Sequence, residues 1–154
     1  MPCILRAPTA ADFPQIDSLG RWFQENSLYE DCGWSSAKAF HWVREGEKSD
    51  SSTFMVVAEE DGIIVGFFLG NIVEYFFSEK ILAQDLVLVF KPSYRDGIGD
   101  HIRTMIGNFC NWAEQKNAHE VCIGITSGIA GSGYGKLIKR LGFSEVGTIV
   151  KREV

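Results

Sequence analysis

The chain has 154 residues, 45% of them apolar and 23% charged, with a formal charge of -5; this length suggests one domain, 1–154, with a real hydrophobic core, and the composition excludes a disordered chain. Net acidity argues against general nucleic-acid binding, because proteins that track phosphates carry a basic excess. No apolar run approaches the roughly 18 residues that a membrane span needs and nothing resembles a signal peptide, so the expected setting is cytoplasmic, away from membranes.

A short strand is predicted around Ile4 to Arg6, followed by a helix opening at Thr9. There Thr9 and Asp12 have capping-box spacing, and Phe13, Ile16 and Leu19 form a helical stripe. The aromatic segment "RWFQENSLYEDCGW" has little periodicity, and a second helix starts at Ser35 or Ser36 and runs through "AKAFHWVRE". Beyond the polar loop 46–52 the pattern changes to "TFMVVAEEDGIIVGFFLGNIVEYFF", two apolar strands around Asp61-Gly62, a dipeptide that supplies the positive φ of a tight hairpin. The next strand, "AQDLVLVF", is too uniformly apolar to be half exposed and reads as central.

From Ile98 the residues Ile102, Met105, Ile106, Phe109, Trp112 and Ala113 recur at helical spacing, the strongest such pattern in the chain. "EVCIGIT" then reads as a strand, "GSGYGKLIKRL" as a short helix stopped by Gly142, and "GFSEVGTIVKREV" as one or two closing strands. Cys3, Cys32, Cys110 and Cys122 form no CxxC pair and have no histidine at ligand spacing, so no metal site is expected and the four read as buried, reduced thiols.

The stretch "KPSYRDGIGDHIRTMI" joins the apolar strand to the long helix. A strand feeding a glycine-containing turn and then a helix aims several unpaired N–H groups at one space, where the helix dipole adds positive potential for an anion. Gly97 and Gly99 present no Cβ there, and Arg95 can add a charged fork. A G-x-G alone is a common turn. The dinucleotide pattern G-x-G-x-x-G fails at Ile102, and the Gly-Lys-Ser/Thr of a P-loop is absent.

With its place after the fourth strand, this turn resembles the signature of the GCN5-related N-acetyltransferase (GNAT) superfamily, Q/R-x-x-G-x-G/A after a strand ending V-x-P. In "LVLVFKPSYRDGIG", Phe90 stands at the family's valine, Pro92 at its proline, and Gly97 and Gly99 at its glycines. "ILRAPTAADFPQI" is similar to the family's opening and "LIKRLGF" to its late helix. Strict spacing puts Tyr94 at the Q/R position, one residue before Arg95. The family's frequent tyrosine, four residues before the glycine of Gly-Phe, is Ile138 here, with Tyr134 one helical turn earlier.

The resemblance implies an α/β fold with a mixed, mostly antiparallel central sheet, a splay between the fourth and fifth strands, and flanking helices. It implies an enzyme that transfers an acetyl group from acetyl-CoA directly to a primary amine; a GNAT-like domain that binds acyl-CoA or a protein partner without turnover is the alternative. Leu88, Val89 and Phe90 would lie along the cofactor's arm, and the turn Arg95, Asp96, Gly97, Ile98, Gly99 and Asp100 would hold its pyrophosphate. Asp96 and Asp100 must then face solvent or cap the turn, and Arg103 reads as surface.

For proton transfer, Asp85 is the best-placed base with Glu74 second, and Tyr134 is the candidate acid. His41, among aromatics, reads as packed; His101 lies just inside a helix and His119 in a loop. The acceptor would be walled by the first two helices and the loop after the third strand, which carry Trp22, Phe23, Tyr29, Trp34, Phe40, Trp42, Tyr75, Phe76 and Phe77. Glu25, Glu30, Asp31 and Glu74 could draw in a cationic amine, and a small amine, a protein N-terminus or a lysine all fit. A homodimer stays open.

Overall fold

The computed structural model of the chain describes residues 2–94, 96–124 and 132–154. Strand β1 (Ile4–Arg6) leads through a 3-10 turn (Ala10–Asp12) into helix α1 (Phe13–Glu25), and a second such turn (Glu30–Cys32) leads to α2 (Ser36–Glu47). Strands β2 (Thr53–Glu60), β3 (Ile63–Glu74) and β4 (Ile81–Phe90) follow, then α3 (Ile98–Gln115), β5 (Val121–Cys122) and α4 (Ser132–Arg140). The sheet has the order β1-β2-β3-β4-β5, antiparallel except where β4 meets β5 in parallel.

Local chemistry accounts for these boundaries. Asp12 accepts the Thr9 N–H at 2.7 Å and both arms of the Arg6 fork at 2.8 and 2.9 Å, while Arg6 Nε reaches Glu59 at 2.6 Å. This joins β1, the start of α1 and β2, and the guanidinium holds the Asp12 carboxyl below the usual range. Ser35 caps α2 by accepting the Lys38 N–H. Asp61 and Gly62 turn the β2–β3 hairpin with φ of 51° and 79°.

Side-chain alternation along the strands makes two cores. On one face Val57, Phe67, Leu69 and Val89 pack against Ile16, Leu19 and Val43 from α1 and α2. On the other, Val56, Ala58, Phe68 and Phe90 meet Met105, Ile106, Phe109 and Ala113 of α3 and Ile138 of α4. The rings of Phe68 and Phe109, both fully buried, lie 4.9 Å apart.

Four expectations need correction. Residues 143–154 form no strand: Val146, Ile149 and Val150 are exposed, and the neighbouring edge strand β5 is only two residues long. Strand β4 is not fully covered, because β5 pairs with its first part alone and Leu86 is exposed. Cys32, on the turn before α2, and Cys122, on the edge strand, are exposed thiols; Cys3 and Cys110 are half-buried. His41 is exposed, touching Trp42 edge-on at 5.4 Å, because α2 directs Ala39 and Val43 to the core. No described helix is long and apolar enough to cross a membrane.

Candidate active site

The site begins with an irregularity in β4. Leu69 pairs with Val87 and Gly70 with Asp85, so Leu86 is the extra residue of a β-bulge. On the other edge β5 pairs only Ala83 with Val121 and Gln84 with Cys122. Among the described residues, Asp85 to Phe90 therefore has no ladder partner on that side. Lys91 N–H donates to Val65 C=O at 2.8 Å, so by antiparallel alternation Val89 and Val87 also direct their backbone groups to β3. Leu88 and Phe90 then aim N–H and C=O groups to the β5 side, where they have no ladder partner among the described residues. Their side chains are core: Leu88 and Phe90 pack on the α3 side, Val89 on the α1 side.

Asp85 sits where the strands part. Its Oδ1 accepts the Gly124 N–H at 2.8 Å, and burial raises its pKa from 3.8 to about 6 against the lowering effect of that bond. Tyr134, on the first turns of α4, has a hydroxyl oxygen buried from solvent with no hydrogen-bond partner among the described residues. Burial pushes its pKa above the ordinary 10, and the charge of Asp85 pushes it further the same way. Ile138, at the position where the resemblance expected a tyrosine, is buried in the core. Glu74 is exposed at the end of β3.

The turn after β4 ends at the N-terminus of α3. Gly97 is the N-cap, with φ 67° and ψ 14°, a left-handed conformation that suits glycine. A Cβ at Gly99 would meet nothing within 4 Å, and the first-turn N–H groups of α3 have no partner within the helix. Asp100 turns outward to Arg103 at 2.6 Å, and Asp96 is exposed. Arg95 lies outside the described residues. Tyr94 stacks on Phe90 with centroids 5.8 Å apart and its hydroxyl is 3.2 Å from His101 Nε2, so it packs inside the turn. Gly97, Ile98, Gly99 and Asp100 thus form the helix N-terminus where the sequence expects an anion, and the Asp100 carboxylate is engaged by Arg103.

On the opposite face of the sheet, α1, α2 and β4 enclose a cavity of about 340 Å³. Phe23, Tyr29, Trp34 and Trp42 line it together with Leu86 and Val87 at the bulge. Of the aromatics expected at the acceptor, Phe76 and Phe77 lie exposed on the β3–β4 loop, and Phe40 is exposed on α2. Glu25, Glu30, Asp31 and Glu74 are exposed, and none lines the cavity. His119 is exposed between α3 and β5.

No protein-family model and no curated protein matches the chain. Solved structures do. AAC(6')-Iy in complex with the bisubstrate analog CoA-S-monomethyl-acetylneamine matches with a TM-score of 0.73 at 16% identity, covering 100% of this chain and 99% of that one. Glucosamine-6-phosphate N-acetyltransferase from Arabidopsis thaliana matches at 0.73 and 12%, covering 99% of each. Ribosomal-protein-alanine N-acetyltransferase from Brucella melitensis matches at 0.70 and 15%, covering 99% and 100%. The fold is therefore that of the GNAT acetyltransferases: a mixed five-stranded sheet with a parallel β4–β5 pair and flanking helices.

Sequence reasoning missed the bulge at Leu86, the role of Gly124 as partner to Asp85, and the part β4 takes in the cavity, whose aromatic walls on the first two helices it expected. No residue type announces the bulge. The cavity did leave a signal, a glycine in the middle of an amphipathic helix: a Cβ on Gly20 would fall 2.4 Å from the Trp34 ring that packs on it.

Proposed function

We propose that the chain is an N-acetyltransferase that moves an acetyl group from acetyl-CoA directly to a primary amine. The residues present fit such a co-substrate. The open space at Gly99 and the first-turn N–H groups of Gly97 to Asp100 suit a pyrophosphate, with Arg95 adding charge. The backbone groups of Leu88 and Phe90, without a ladder partner among the described residues, suit an amide-bearing arm laid beside β4. Acetyl-CoA supplies the activated thioester; the chain supplies position and proton transfer.

Asp85 is the base. With its pKa near 6 it is ionised at neutral pH yet basic enough to take a proton from the attacking amine, directly or through a water. Tyr134 is the acid, holding its proton throughout the neutral range and giving it to the departing thiolate. Passage of the proton gathered by Asp85 to the phenolate, directly or through water, closes the cycle without net proton change in the protein.

The observation that carries this reading is the Tyr134 hydroxyl. It has no hydrogen-bond partner among the described residues; a buried polar group left so costs about 1–3 kcal/mol, and a reacting atom that arrives only with the co-substrate would account for its retention. The test is release of free thiol from acetyl-CoA over a panel of primary amines, with mass spectrometry of the products. Amine-dependent thiol release with a gain of one acetyl group is expected. Acetyl-CoA binding without thiol release on any amine would replace this reading with that of a non-catalytic acyl-CoA-binding module.

A further inference from the structure

Resting on that reading, we infer that the acceptor is a primary amine borne on a short arm by a single aryl or bulky alkyl group, and that this group is held in the cavity between α1, α2 and β4. A volume of about 340 Å³ is at the small end of ligand pockets, enough for one ring and a two- or three-carbon arm. The walls are the rings of Phe23, Trp34, Trp42 and Phe67, and no lysine, arginine, aspartate or glutamate is among the lining residues.

Several polar atoms of the lining residues are already engaged inside the protein, while Gln24 Oε1, Tyr29 Oη and Trp42 Nε1 accept or donate no bond among the described residues. Gln24 Nε2 donates to the carbonyls of Tyr29 and Glu30, Ser27 Oγ donates to Gln24 C=O at 2.9 Å, and Trp34 Nε1 donates to Asp17 at 2.7 Å. A ligand rich in hydroxyl or ammonium groups would find too few partners here for all of them, which selects against it. At the rim, Lys151 donates to Leu28 C=O at 3.1 Å and lies 5.1 Å from the Tyr29 ring centroid, a cation that repels a polycation.

The cavity also borders the bulge that follows Asp85. Leu86, the bulged residue, and Val87 are among its lining residues, and the preceding residue in the chain is Asp85. An amine two or three carbons from a ring seated against Trp34 and Trp42 is carried to the place where β4 parts from β5.

The experiment compares 2-phenylethylamine, 1,4-diaminobutane and kanamycin as acceptors by thiol release, and separately titrates each amine into the CoA-saturated protein while following tryptophan fluorescence. Expected are a kcat/KM for 2-phenylethylamine at least tenfold above the other two and a saturable fluorescence change with it alone. Trp42→Ala, and independently Ala39→Leu, which fills the cavity from α2, should each raise the KM for 2-phenylethylamine about tenfold. Equal or faster turnover of kanamycin or 1,4-diaminobutane would overturn the inference and leave acetyl transfer standing. A fluorescence response to 2-phenylethylamine without thiol release on any amine would uphold the cavity assignment and sink the transferase reading. Faster turnover of octanoyl-CoA than acetyl-CoA, with no preference among amines, would put an acyl chain in the cavity and overturn the inference.

Discussion

Replacing Asp85 by asparagine separates what the carboxylate does for the reaction from what it costs the fold. Burial holds the Asp85 pKa at about 6 in place of 3.8, a displacement of about 2 worth about 1.4 kcal/mol each, so at neutral pH the ionised group costs about 3 kcal/mol of folding free energy. The sign follows from proton counting: between pH 4 and 6 the folded chain holds this proton more tightly than the unfolded chain. The associated stabilisation is present in full below about 4 and is lost as pH rises through 6. Asparagine is neutral, and its carbonyl oxygen can still accept the Gly124 N–H. Asp85→Asn is therefore expected to match the parent at pH 4 and to exceed it by up to about 3 kcal/mol at pH 7.5, roughly 6–12 °C in Tm. Thiol release should fall about 10²–10⁴-fold. Urea unfolding at pH 4, 5.5 and 7.5 checks the stability arm. An asparagine variant less stable than the parent at pH 7.5, or a difference that does not shrink toward pH 4, would refute the assignment of burial as the cause.

Tyr134→Phe removes an unpartnered buried hydroxyl and is expected to leave stability unchanged or raise it by about 1 kcal/mol, while thiol release falls at least about 10²-fold with acetyl-CoA affinity retained; a melt, a rate and a titration read the three. Gly99→Val, whose side chain projects into open space, is expected to keep the fold by circular dichroism and to lose acetyl-CoA binding by calorimetry; unchanged affinity would show that the anion binds elsewhere. Gly70→Ala puts a Cβ 2.5 Å from the Phe109 ring and 2.9 Å from the Gln84 carbonyl oxygen, so a loss of about 1–3 kcal/mol in urea unfolding is expected.

The sequence made the scaffold legible where a local rule and the tertiary environment agreed. Ser35, Asp61-Gly62 and the Ile98–Ala113 stripe each mark an element whose cap, turn or buried face is local, and the structure has those elements there. It was misleading where apolarity was read as burial. Leu86 is apolar and exposed because a bulge frees it from the ladder; Val146, Ile149 and Val150 are apolar and exposed, and pair with no strand among the described residues. The candidate site divides in the same way. The glycines of the turn were visible because backbone conformation and ligand approach select glycine. The position of Asp85 beside Tyr134 was reached through a family resemblance, since the parting of β4 from β5 is a property of pairing and no single residue records it. The absence of acidic residues from the cavity could not be read at all, because Glu25, Glu30 and Asp31 neighbour its walls in sequence while facing solvent.

The central claim, that Asp85 and Tyr134 serve acyl transfer at the opened edge of β4, is tested most directly by the pH dependence of kcat/KM for thiol release, measured with the best acceptor on the parent and on Asp85→Asn. The account requires an ascending limb with a midpoint near 6 in the parent, where Asp85 ionises, and its loss in the variant. A parent profile that is flat between pH 5 and 7, or a variant that keeps both the limb and the rate, would contradict it.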